Sequence, residues 1–201
     1  MKCFSTVLSV IVLMMLVVAS LAGSALATPM VIDDLDSDYT NIGTWNHSTK
    51  DIFAPKFDGA ISYSESTGAT ATWSFGGLDD GIYTVYAIWL QYSSATTAAE
   101  YAISDSSSEL LSKTVDQNTY APAHDLKITD SESDDEWFEK LGNVTITDGT
   151  LKVVLSNAND TGHSTDGHIF ADAIAITTPE PVTMSLLGLG GLLTLVRRRR
   201  K

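Results

Sequence analysis

Carboxylates are the groups in this sequence best placed to do chemistry. Asp33 and Asp34 are adjacent, and Asp172 lies inside Ile169-Phe170-Ala171-Asp172-Ala173-Ile174-Ala175-Ile176, where the neighbours on both strand faces are apolar. An ionised carboxylate in such surroundings needs hydrogen bonds or a cation. No arginine occurs between Thr28 and Thr178, so the partners left are lysine, backbone and hydroxyl donors, or a metal ion. Donors of the protein itself are the first expectation. A structural calcium ion held by Asp33, Asp34 and Asp172 is the second, because the first and last strands of a jelly roll commonly meet.

Other constellations are weaker. Asp34-x-Asp36-x-Asp38 has the opening spacing of a calcium loop, but Tyr39 and Trp45 stand where the sixth-position glycine and twelfth-position glutamate belong. That excludes an EF-hand. His47, His124, His163 and His168 come with no H-E-x-x-H or clustered ligand pattern, and no G-x-S-x-G elbow is present. No catalytic residue is assigned, and the chain reads as a non-enzyme. Trp45 and Trp137 adjoin polar loops and are candidates to stack on a sugar, with core packing as the alternative. Trp73 and Trp89 sit in apolar alternation and belong to the core.

Both termini carry membrane-directed patterns. Lys2, the apolar stretch Val7 to Leu21 and Ala25-Leu26-Ala27 describe a secretory signal peptide over residues 1–27. The single cysteine, Cys3, falls inside it, so the mature chain has no thiol chemistry. At the other end, Pro179-Glu180-Pro181 precedes an apolar run from Val182 to Val196 and then Arg197, Arg198, Arg199, Arg200 and Lys201. A helix over 182–196 covers roughly 22 Å, less than the roughly 30 Å hydrocarbon core. It can hold the chain at a membrane transiently and makes a poor permanent anchor. The basic block belongs on the cytoplasmic side, which places the rest of the chain outside.

The order Pro-Glu-Pro, short glycine-interrupted helix, arginine cluster resembles the PEP-CTERM sorting signal of Gram-negative bacteria. The resemblance covers 179–201. It implies processing by a membrane-embedded exosortase-type enzyme and release to the cell surface or an extracellular polysaccharide matrix.

Between the signals, residues 28–178 fit one domain. They hold 24 acidic groups against six lysines, whereas the whole chain has a formal charge of −13. Nucleic acid is therefore excluded as a partner, since phosphate contacts need clustered Lys and Arg. Period-two alternation runs through Gly68–Phe75 and puts Ala69, Ala71, Trp73 and Phe75 on one face. Ile82 to Tyr92 reads as a long central strand. Shorter strands follow at Tyr101–Ile103, Leu110–Val115, Leu126–Ile128, Leu141–Ile146 and Leu151–Leu155, and Ile169–Ile176 closes the domain. The pattern predicts an all-β, antiparallel, jelly-roll-like sandwich without an amphipathic helix.

Val31-Ile32-Asp33-Asp34, Gly43-Thr44-Trp45, Ala71-Thr72-Trp73, Gly81-Ile82-Tyr83-Thr84-Val85-Tyr86, Val115-Asp116-Gln117, Trp137 with Leu141-Gly142, and Phe170-Ala171-Asp172-Ala173-Ile174 occur in that order. In sequence and spacing they resemble the golvesin C-terminal-like, or Xly carbohydrate-binding-like, β-sandwich family. The basic residue that members often carry beside the final Asp-Ala pair is replaced here by Ile174-Ala175-Ile176. The resemblance implies an accessory module of an exported bacterial protein that binds carbohydrate. The expected function is a non-catalytic, exported binding or matrix module associating with extracellular polysaccharide. A self-associating envelope protein without a glycan site is the alternative, and a secreted hydrolase ranks third.

Overall fold

Alternation at period two becomes strand where one face can be buried. In β5 (Thr70–Gly76) Ala71, Trp73 and Phe75 are buried while Ser74 faces solvent, as the pattern predicts. The computed structural model describes residues 28–49, 57–119, 125–130, 135–157 and 167–178. The signal-peptide segment 1–27, the Pro179–Pro181 motif, the apolar run 182–196 and the arginines 197–200 lie outside the described residues. Among the described residues no helix is long and apolar enough to cross a membrane.

Among the described residues thirteen strands make three antiparallel sheets. The first runs β1 (Met30–Ile32), β13 (Ile174–Thr177), β6 (Gly81–Ala87), β10 (Asp135–Ile146), β9 (Leu126–Thr129). The second runs β2 (Tyr39–Ile42), β5, β11 (Thr150–Ser156), β7 (Ala99–Ser104), β8 (Glu109–Val115). A small third sheet runs β12 (Ile169–Ala171), β4 (Ile61–Ser64), β3 (Asn46–Ser48). The main core joins the first two sheets: Tyr83, Val85, Val144 and Ile176 meet Trp73, Tyr101, Ile103 and Val153. Thr28–Thr178 forms one compact unit.

Two expectations need correction. The long strand over Ile82–Tyr92 ends at Ala87, because the next three residues are drawn in different directions. Ile88 enters a cluster with Phe57 and Phe138, Trp89 enters the main core, and Leu90 packs with Ile61 and Phe170. No single sheet can satisfy all three. Likewise, Ile169–Ile176 is not one strand. It breaks at Asp172-Ala173, with β12 paired to β4 in the third sheet and β13 paired to β6 in the first. The strand expected over Leu141–Ile146 starts earlier, at Asp135, and its first four residues pair with β9.

Gly43, between β2 and Trp45, has φ +98, and a Cβ there would lie 3.2 Å from the backbone and Cβ of Ala69. Gly43→Ala is expected to destabilise the domain by about 1–3 kcal/mol, from left-handed strain and backbone crowding together. Urea unfolding measures it.

Candidate functional site

The register of the end strands assembles a buried carboxylate centre. Ile32 pairs with Ile174, so the residues leaving β1, Asp33 and Asp34, run beside those entering β13, Ala173 and Asp172. All three aspartates are enclosed, at 5, 6 and 1% exposure. Each offers a carboxylate oxygen, and these oxygens lie within 4.8 Å of one another. The turn Phe57–Gly59 caps them, with Asp58 at φ 47. The Phe57 N–H donates to both Asp172 oxygens, at 3.1 and 3.2 Å. Trp73 Nε1 donates to the Asp172 carbonyl at 3.2 Å, which fixes the chain at the sheet-to-sheet crossing. The Asp34 N–H donates to Asp33 Oδ1 at 2.6 Å, and the Asp33 N–H to Asp36 Oδ2 at 2.8 Å.

Protein donors therefore meet part of the demand. Asp34 is the exception: its side chain is fully enclosed and neither of its oxygens accepts a hydrogen bond. His47 Nδ1 lies 3.3 Å from Asp34 Oδ2, within ion-pair distance but without hydrogen-bond alignment. Two like charges about 5 Å apart repel by about 3 kcal/mol at an effective dielectric of about 20. Burial, followed by the neighbouring Asp34 carboxylate, raises the Asp33 pKa to about 8. Burial and the charges of Asp33 and Asp34 push Asp172 well above the usual carboxylate range, against the Phe57 N–H. At neutral pH the centre either holds protons or takes a cation. An all-oxygen donor set with an enclosed carboxylate that accepts no hydrogen bond fits a hard divalent ion such as calcium, which Asp33, Asp34 and Asp172 would hold.

The stacking candidates fall in different places. Trp45 packs against the main core, and its indole N–H donates to the Ile42 carbonyl at 3.0 Å. Trp137 sits opposite Lys127 on the β9–β10 pair and remains 40% exposed. The structure does not bring the two rings into one described site.

A second cluster escaped the sequence reading. His168 forms a parallel bridge with Ala95 and stacks on Phe170 with ring centroids 5.9 Å apart and an interplanar angle of 15°. Tyr63 and Tyr92 pack against the same two rings. His168 Nε2 meets Glu65 Oε1 at 2.8 Å, and Nδ1 lies 3.1 Å from Ser94 Oγ. The order Ser94–His168–Glu65 is that of a nucleophile, base and acid. However, the Glu65 side chain is 60% exposed, unlike the buried carboxylate that orients a catalytic imidazole. The chain of contacts holds the ring in place. His124 and His163 lie outside the described residues.

A groove of about 860 Å³ at one end of the second sheet is lined by Asp38, Ser74, Lys152 and the loop 104–109. The loop along it is held by hydrogen bonds of its own and to Asp148 beside it. Asp105 accepts from the N–H and hydroxyl groups of Ser107 and Ser108, and Asp148 accepts from Ser106 and Thr150.

The family model described as Golvesin C-terminal domain matches residues 30–178. No protein among those with curated functions matches the sequence. Among solved structures, a xanthan lyase from Paenibacillus superposes with a TM-score of 0.59 at 16% identity, covering 76% of this chain and 13% of that one. A family 35 carbohydrate binding module from Clostridium thermocellum gives a TM-score of 0.48 at 11% identity over 76% of this chain and all of that one (100%). The CBM35 of Cellvibrio japonicus Abf62 gives 0.47 at 10%, over 75% and 93%. This chain thus spans a small part of the lyase, and the likeness to it is one of fold.

Proposed function

Because the chain belongs to the golvesin C-terminal domain family, we propose that it is an exported, non-catalytic module that associates with extracellular polysaccharide. The observation that carries this reading is where the carboxylates lie. Asp33, Asp34 and Asp172 are enclosed beneath Phe57, where they can tie strand ends together and cannot meet a polymeric substrate. Glycoside hydrolysis needs two carboxyl groups flanking an accessible bond, and this centre does not provide that arrangement. The xanthan lyase supports the reading, since a unit of this fold there makes up a small share of a polysaccharide-acting protein. Calcium at the three aspartates serves as a structural cofactor in this account. A secreted hydrolase ranks last. The purified protein is expected to release no reducing ends from polysaccharides, and turnover lost on replacing Glu65 or His168 would overturn the non-catalytic reading.

The ends of the chain supply delivery. Residues 1–27 direct export, and Pro179-Glu180-Pro181, the apolar run 182–196 and Arg197 to Arg200 hold the protein at the inner membrane until an exosortase-type enzyme processes it. The product then reaches the cell surface or matrix. Intact-mass analysis of surface-exposed protein is expected to show a mature chain from near Thr28 to near Pro179–Pro181. A tail retained through Lys201 would replace sorting with permanent anchoring.

A self-associating envelope protein is the second reading, favoured by exposed apolar side chains at sheet edges. Met30 on β1 is 47% exposed and Ile42 on β2 is 72% exposed. Sedimentation across a concentration series separates the two: a monomer throughout removes self-association.

A further inference from the structure

We infer that the surface formed by Tyr92, Tyr63 and His168, with Glu65 at its rim, is the glycan-binding platform of this domain and takes a neutral polysaccharide. The inference rests on the polysaccharide-binding reading above and names its site. Sugars present C–H faces that pack on aromatic rings and hydroxyl edges that need strong acceptors, so a binding surface needs both, held rigid. This surface has both. Phe170, at 1% exposure, forms its floor, and Tyr92 stands above it at 41% exposure with the rings edge to face, 5.9 Å apart. Tyr63 packs on His168 with centroids 5.7 Å apart and planes inclined by 43°, and Tyr92 meets the same imidazole edge to face at 6.0 Å, so the rings form one faceted cluster.

The surface is braced from below and from both sides. The buried Gln117 amide donates to the Phe170 carbonyl and accepts from the Phe170 N–H, both at 2.9 Å. Ser94 and Glu65 occupy the two imidazole nitrogens and fix the His168 ring plane. Gln91 Nε2 donates to the Asn118 carbonyl at 3.3 Å and Asn118 Nδ2 to the Ser93 carbonyl at 2.9 Å, which ties the segment bearing Tyr92 to its neighbour. A surface ordered in advance loses little freedom on binding, which distinguishes it from a chance exposed tyrosine.

Charge sets the ligand class. Glu65 points an acceptor at the rim of a domain with 24 acids and six lysines, so uronic-acid, sulfated or phosphorylated polymers are repelled and hydroxyl donors are accepted. Trp137 lies on the first sheet beside β9, apart from the sheet that carries Phe170 and Tyr63.

Native affinity electrophoresis of the full chain, kept soluble in a detergent without a sugar headgroup, tests the assignment. The gels contain xyloglucan, galactomannan or laminarin, with polygalacturonate as the anionic control. Wild type is expected to be retarded by at least one neutral polymer and not by polygalacturonate. Tyr92→Ala is expected to weaken that retention at least tenfold, Glu65→Gln several-fold, and Tyr92→Phe and Trp137→Ala little. Glu65 is exposed enough that its variant folds, so the test does not depend on Tyr92 alone. Retention by neutral polymers that survives both Tyr92→Ala and Glu65→Gln overturns the site while leaving polysaccharide binding intact. Retention by polygalacturonate alone overturns the neutral class. Migration unaffected by every polymer overturns the platform together with the reading on which it rests.

Discussion

Calcium is expected to raise the thermal midpoint of this domain, by a gain that grows as pH climbs from about 4 towards 8. At a hundredfold excess over its dissociation constant, an ion bound only by the folded state adds about 2.7 kcal/mol. That corresponds to roughly 5–10 °C for a domain of this size. The pH dependence follows from the buried carboxylates. Asp33 has a folded pKa of about 8, raised from an ordinary value of 3.8, and Asp172 is raised as well. A raised folded pKa means that the folded state holds the proton more tightly than the unfolded chain. The metal-free protein therefore keeps this contribution below about pH 4 and loses it as pH rises towards 8, by up to about 1.4 kcal/mol per pH unit for each group. A bound calcium ion would take the place of the protons and cancel the decline, because the carboxylates are then ionised in both states. Asp172→Asn is expected to abolish the calcium gain and to leave only the Asp33 share of the metal-free decline, whereas Asp80→Ala, at an exposed turn, leaves both unchanged. His47→Ala separates the ion from the alternative partner of Asp34: a calcium gain that survives the substitution assigns the compensation to the metal. Scanning calorimetry at pH 5, 6, 7 and 8, with calcium and with chelator, reads all of these.

Gln117→Leu is expected to cost about 2–4 kcal/mol. Gln117 is fully buried, and its side-chain amide serves as the hydrogen-bonding partner of both Phe170 backbone groups. Removing it leaves a buried N–H and a buried C=O unsatisfied, at about 1–3 kcal/mol each before relaxation. The same substitution loosens the strand that carries His168 at one end and leads into Asp172 at the other. Binding and calcium response should therefore weaken together with stability. Urea unfolding at fixed calcium measures the effect, and a loss below about 0.5 kcal/mol would show that the amide clip is dispensable.

The sandwich was legible because Ala71, Trp73 and Phe75 alternate with polar neighbours, a pattern that only a half-buried strand satisfies. The approach of Asp33 and Asp34 to Asp172 was legible from the general adjacency of first and last strands. The break at Asp172 was not, because an all-apolar run hides which side faces which cluster: Ala173 and Ala175 turn to Phe138, Ile174 and Ile176 to the main core. Strands β1 to β4 were too short and too polar to show a period. Asp130 reads as part of an acidic loop, yet it is buried at 9% exposure, so charge alone misplaces it. The ring surface could not be read in advance for a different reason. Tyr63, Glu65, Tyr92, Ser94 and His168 come from three separate segments, and only the third sheet and the Ala95–His168 bridge bring them together.

A glycan array probed with the protein at neutral pH, once with calcium and once with chelator, tests the central claim most directly. The account predicts binding to one or more neutral glycans, absent for acidic ones and reduced by chelator as the domain loses stability. No binding to any glycan under either condition, from protein that calorimetry shows to be folded, would contradict it.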